Sequence, residues 1–169
     1  MIGGLVLDSK QWNVRYGWDL LREFGAEYQD YIAITSPSAW SVVQERFTAP
    51  PRHLEYQQGM GEQYLGPLLD RLPDARQVLA IGGGNALDVG KYVAWKLEKP
   101  LVMIPTIVSS GAVFQSYIAV RGSAGLEFHD TIAPEHLLFD FSAIRSAPPS
   151  LNCEGMGECI CQLGVMAGW

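Results

Sequence analysis

The stretch Ile81–Gly111, IGGGNALDVGKYVAWKLEKPLVMIPTIVSSG, decides how the rest of the chain is read. QVLAI, ending at Ile81, is a short apolar run of strand character. Three glycines follow it, and NALDVGKYVAWKL then carries a helical apolar period. LVMIP is the next strand, and it runs out into a loop rich in Thr, Ser and Gly. A strand, a helix and a second strand in that order form a crossover unit, which pairs its strands in parallel.

The same alternation extends upstream. YIAIT (Tyr31 to Thr35) reads as a strand, and Ser36-Pro37-Ser38 offers a helix start for AWSVVQERF. Pro50-Pro51 interrupts the chain before HLEYQ, a short second strand. GEQYLGPLLDRL is helical, with Pro67 expected near a turn or a kink. Downstream of Gly111, FQSYIAVR alternates like a strand, and the region Gly122 to Gly125 reads as the turn of a hairpin. HLLFD returns as a strand, and a helix is expected from about Ser150 onward. The fold class that follows is α/β: a Rossmann-like parallel sheet with helices on both faces.

Bulk properties narrow the class further. The chain has 169 residues, 48% hydrophobic and 18% charged, as in ordinary globular domains. A formal charge of −6 argues against nucleic acid and anionic membrane as partners. No apolar run reaches membrane-spanning length and no signal-peptide layout opens the chain, so a cytoplasmic location is expected. Cys153, Cys159 and Cys161 cluster without zinc-site spacing and read as buried thiols in a reducing compartment. His53, His129 and His136 form no ligand motif and read as surface residues.

What the glycines hold is the functional question. The dinucleotide fingerprint GxGxxG fails because Leu87 occupies its sixth position, and the P-loop fails because Asn85 and Tyr92 stand at two of its required sites. The physics shared by both motifs survives. A strand end delivers Gly82 to Gly84 to a helix N-terminus, where free N–H groups and the helix dipole favour an anion. Asn85, Asp88 and Lys91 recur on one helical face, where Asp88 and Lys91 can also be a plain surface ion pair. Pro105, Thr106, Ser109, Ser110 and Gly111 follow the neighbouring strand, at the end where open α/β sheets bind ligands. A hydroxyl-capped helix start accounts for those hydroxyls equally well.

GGGNALDVGKYVAWKLEKPLVMIPTIVSS resembles the glycerol-1-phosphate dehydrogenase branch of the iron-containing alcohol dehydrogenase and glycerol dehydrogenase superfamily, to which 3-dehydroquinate synthase also belongs. PEHLLFDFSAIRSAPPSLNCEGMGECI and RYGWDLLREFG extend the resemblance over most of the chain. It implies a nucleotide-binding domain over residues 1–149, with 150–169 the first helix of a missing metal-binding helical domain. Gly83, Gly84, Asn85 and Asp88 match the region that cradles the NAD or NADP pyrophosphate, and Thr106 and Ser109 match the segment near the nicotinamide. Glu158 matches the first carboxylate ligand of a zinc or iron ion, although dehydrogenases of the family usually carry aspartate there.

Gly111 and Gln115 depart from a substrate-contacting aspartate and a following serine, and His129 and His136 do not match the family's metal-binding histidines. The catalytic residues therefore stay unknown, and this chain alone is expected not to retain the metal. The implied activity is an NAD(P)-dependent, metal-dependent oxidoreductase acting on a polyol or polyol phosphate, inactive as this truncated chain. The alternatives are a dehydroquinate-synthase-like lyase, which Glu158 favours, and a non-catalytic nucleotide-binding remnant, which Gly111 and Gln115 favour. The apolar run ending at Trp169 is read as a cut, with self-association through Cys159, Ile160, Leu163, Val165, Met166 and Trp169. Glu55, near the second strand, is a candidate acceptor for ribose hydroxyls or else a solvent-facing strand residue.

Overall fold

The computed structural model describes residues 12–166. Six strands form one sheet: β1 (Val14–Gly17), β2 (Tyr31–Thr35), β3 (His53–Tyr56), β4 (Gln77–Gly82), β5 (Leu101–Pro105) and, after a hairpin, β8 (His136–Asp140). Their spatial order is β1-β8-β5-β4-β2-β3, and every pairing is parallel. The hairpin β6 (Tyr117–Gly122) and β7 (Gly125–Thr131) stands apart as an antiparallel pair.

Alternation along the strands sends side chains to two faces. Ile32, Ile34, Val78, Ala80, Leu101 and Met103 pack on one side. There they meet α3 (Glu62–Arg71), α4 (Gly84–Lys96) and the hairpin's Ile118 and Val120. Tyr31, Ala33, Leu79, Ile81, Val102 and Ile104 pack on the other. Their partners are α1 (Leu20–Phe24), α2 (Pro37–Val43) and α5 (Phe141–Ser146). Strands β2 and β5 are buried along their whole length, which is why they read as unbroken apolar runs instead of alternating ones.

The predicted strands and helices are present, with three refinements. Pro67 sits inside α3 and does not end it. Val14–Gly17, which periodicity alone left unassigned, forms an edge strand because Leu137 to Asp140 offer it a ladder. His136 opens β8 partly buried, 3.3 Å from the Tyr28 hydroxyl, so it is not a free surface residue. The last helix, α6, covers Pro149–Met166, and on it Cys153 and Cys161 are exposed, not buried as read from the sequence.

The connections run in opposite directions from the centre of the sheet. From β2 the chain crosses to β3 at one edge, whereas from β4 it crosses to β5 on the far side. The crevice between the carboxyl ends of β2 and β4 is therefore the topological switch point, the usual ligand position of open α/β sheets. Helix α2 starts there on one face and α4 on the other.

Candidate functional site at the glycine loop

Gly82 ends β4 with φ +143°, a conformation that side-chain-bearing residues avoid, and so turns the chain sharply into α4. Gly83 is the N-cap of α4 and makes no side-chain cap. The contrast with α2 is informative, since there the Ser36 hydroxyl accepts the Ala39 N–H at 3.3 Å. With no capping side chain, the first-turn N–H groups of α4 are left to an outside acceptor, and the helix dipole favours an anion.

The loop after β5 closes over this turn. Thr106 donates its N–H to the Gly82 carbonyl at 3.1 Å, tying the two strand ends together, and is itself buried. A Cβ at Gly83 would stand 2.6 Å from Ile107 Cδ1, and one at Gly84 would stand 2.7 Å from Ser110 Oγ. The glycines thus let a hydroxyl-bearing loop lie directly against a bare helix start. Gly83, Gly84, Thr106 and Ser109, named from sequence, come together here: Ser109 Oγ lies 3.9 Å from the Gly83 Cβ position. Asn85 is exposed one residue into the helix. Such a bare helix start can offer its N–H groups to an anionic oxygen.

Asp88 and Lys91 are a different matter from the surface pair that spacing allowed. Lys91 is fully buried, and its ammonium donates to Asp88 Oδ1 at 3.0 Å and to the Ala112 carbonyl at 2.6 Å. Burial lowers the Lys91 pKa and raises that of Asp88, each opposed by the charge of the other. The signal was present in the sequence: Lys91 continues the apolar stripe four residues after Leu87 and three before Ala94.

Glu55 is likewise neither solvent-facing nor free. Its Oε1 accepts from the Tyr64 hydroxyl at 2.9 Å and from Arg71 Nη2 at 2.6 Å, while Oε2 lies 3.2 Å from His53 Nε2. Burial raises its pKa, but the hydrogen bonds from Arg71, His53 and Tyr64 outweigh that and leave it lowered. Burial first, and then the hydrogen bond to Glu55 and its negative charge, push the Tyr64 phenol well up against the opposing charge of Arg71. A surface cavity of about 710 Å3 adjoins the cluster.

Gly111 opens the 3-10 turn Gly111–Phe114, and Gln115 follows it. Among the described residues no three of His, Cys, Asp and Glu gather as a metal site requires. Glu158 falls within α6, but its side chain lies outside the described residues, as do those of Cys159, Leu163, Val165, Met166 and Trp169. One contact was not legible beforehand. Asn152 in α6 accepts the Val108 N–H at 3.2 Å and donates to the Ile144 carbonyl at 3.0 Å, bracketing the loop from the other flank.

A parallel sheet with a glycine turn and a hydroxyl loop at its switch point defines a Rossmann-like α/β domain. Residues 51–148 match the family model described as iron-containing alcohol dehydrogenase, and the chain belongs to that family. It is 26% identical over 158 residues to the glycerol-1-phosphate dehydrogenase (NAD(P)+) of Hyperthermus butylicus, covering 89% of this chain and 45% of that protein. With the enzyme of that name from Metallosphaera sedula it is 33% identical over 92 residues, 54% of this chain and 26% of the relative. The fold is similar to glycerol dehydrogenase from Schizosaccharomyces pombe, with a TM-score of 0.73 at 18% identity, over 88% of this chain and 42% of that one. It is similar also to maleylacetate reductase from Agrobacterium tumefaciens, with a TM-score of 0.70 at 14% identity, over 83% and 44% of the two chains. The chain thus spans less than half the length of these relatives. Among the described residues no helix is long and apolar enough to cross a membrane.

Proposed function

We propose that this chain is the cofactor-binding part of an NAD(P)-dependent, metal-dependent dehydrogenase acting on a polyol or polyol phosphate, residues 1–149 forming that domain. The observation that carries the reading is the uncapped N-terminus of α4, with the Thr106–Ser110 loop lying against it at the switch point. The likeness to glycerol-1-phosphate dehydrogenases supports the substrate class.

Gly83, Gly84 and Asn85 hold the pyrophosphate through backbone N–H groups, and Thr106 and Ser109 orient the nicotinamide half with their hydroxyls. Asp88 belongs to the same site through its bond to Lys91. The nicotinamide, when bound, supplies the hydride acceptor. Glu158 is the first ligand of a zinc or iron ion, and residues 150–169 begin the helical part that completes that site. One carboxylate does not hold such an ion by itself, so the metal site needs further ligands beside Glu158. The protein works in the cytoplasm. Self-association runs along α6, where Met156 and Ile160 are exposed.

Calorimetric titration with NAD+ and NADP+, with and without zinc, tests the reading. Saturable binding of one dinucleotide that zinc leaves unchanged is expected. Binding of neither refutes it and favours the non-catalytic alternative. The dehydroquinate-synthase-like alternative draws its support from a glutamate at position 158 where dehydrogenases of the family carry aspartate.

A further inference from the structure

Lys91 shares with Asp140 the deepest burial of any charged residue in the described part of the molecule, and its ammonium faces away from water toward two acceptors on different segments. A buried ammonium is costly unless it is paired and hydrogen-bonded. A methionine of similar length would fill the same space with no such demand, so what the lysine adds is its donors and its charge. Both of its hydrogen bonds go to the surroundings of the glycine loop. One reaches the Ala112 carbonyl in the 3-10 turn Gly111–Phe114, directly after Ser110, and Ser110 itself lies against Gly84. The other reaches Asp88, one turn into the helix whose N-terminus is bare.

We propose that Lys91 is a positioning residue for the dinucleotide site, latching the segment 107–112 onto α4 through the Ala112 carbonyl and neutralising Asp88 beneath the bare helix start. This rests on the cofactor reading given above. The loop has three fixed points. Its entry is tied by Thr106 N–H to Gly82, its middle by Asn152 to Val108, and its exit by Lys91 to Ala112. Only the exit point is also a charge. Without it the Asp88 carboxylate would stand uncompensated in the first turns of α4, opposing the anion that the helix dipole attracts. Lys91 thus touches no ligand, yet it sets both the shape and the electrostatic sign of the place where the pyrophosphate lies.

The test compares the chain with Lys91→Met and Lys91→Arg by two readouts: amide hydrogen exchange, and calorimetric titration with NAD+ and NADP+. In Lys91→Met, exchange is expected to rise in 107–114 while β4 and β5 stay protected, and dinucleotide affinity is expected to fall about tenfold. Lys91→Arg, which keeps charge and donors, is expected to recover much of that loss, which a role in packing alone would not produce. Unchanged exchange and affinity in Lys91→Met overturn the proposal, and so does an arginine variant no better than methionine. If Lys91→Met does not fold, Lys91→Gln, which keeps a neutral donor, replaces it under the same criteria. If the unaltered chain binds neither dinucleotide, the cofactor reading and the role of Lys91 in it both fall. The exchange comparison then still decides whether Lys91 holds the loop.

Discussion

Asp140 carries the largest single stability effect the structure lets one work out. It ends β8 fully buried and every bond to its carboxylate crosses to a different element or caps one. Oδ1 accepts from the Ser142 and Ala143 N–H groups at 2.9 and 3.3 Å, forming the N-cap of α5. Oδ2 accepts from the Leu21 N–H in α1 at 2.9 Å and from Arg46 Nη1 at 2.8 Å. Replacement by alanine removes the cap, worth about 1 kcal/mol, and strands the largely buried Arg46 guanidinium, a loss of about 3–5 kcal/mol for a broken buried pair. The two overlap, so about 3–5 kcal/mol is expected in total. For a chain of 169 residues the unfolding entropy is roughly 0.35 kcal/mol per degree, so the melting temperature should fall by about 9–14 °C. Urea unfolding followed by far-UV circular dichroism measures the free-energy loss directly. Asp140→Asn keeps one acceptor oxygen for the α5 cap and should lose clearly less. A loss below about 1 kcal/mol in Asp140→Ala would refute the claim that this carboxylate joins α1, α5 and Arg46.

Other expectations follow from the same contacts. At Gly90 an added Cβ would fall inside contact distance of Ala80 Cβ and lie 3.1 Å from its Cα, on strand backbone that does not yield. Gly90→Ala should therefore destabilise by about 1–2 kcal/mol despite a helix-propensity gain of about 1, as thermal unfolding would register. Gly157→Ala, where the Cβ meets nothing within 4 Å, should by contrast be neutral or slightly stabilising in the same experiment. The Glu55 carboxyl titrates below its ordinary value of 4.5 in the folded chain. Its contribution is then fully present above that value and is lost as pH falls through the folded pKa. The stability gap between the chain and Glu55→Gln should accordingly be widest near neutrality and narrow on acidification; a gap constant from about pH 7 to pH 3 would contradict the three hydrogen bonds on that carboxylate.

Strand and helix identity was legible in the sequence because each element carries its own period. QVLAI, YIAIT and LVMIP are buried on both sheet faces and so appear as continuous apolar runs, while NALDVGKYVAWKL repeats at helical spacing. The glycine turn and the Thr-Ser loop were legible too, since both are local backbone requirements written in residue type. What local pattern could not give was strand order. Val14–Gly17 is a strand only because β8 accepts it as a neighbour, and the switch point exists only because β4 returns to the far side of β2. The fate of the charges was likewise a tertiary decision. Asp88 and Lys91 at i and i+3 describe a surface pair as well as a buried one, and Glu55 in HLEYQ describes a ribose acceptor as well as a solvated strand residue. Packing of the 3-10 turn over α4 buried the first pair, and α3 brought Tyr64 and Arg71 onto Glu55. The sequence determined which segments are strands and helices and where the bare helix start lies, because these depend on neighbours in the chain. Which polar groups are left for a ligand depends on partners far away in sequence, and only the folded arrangement supplies those.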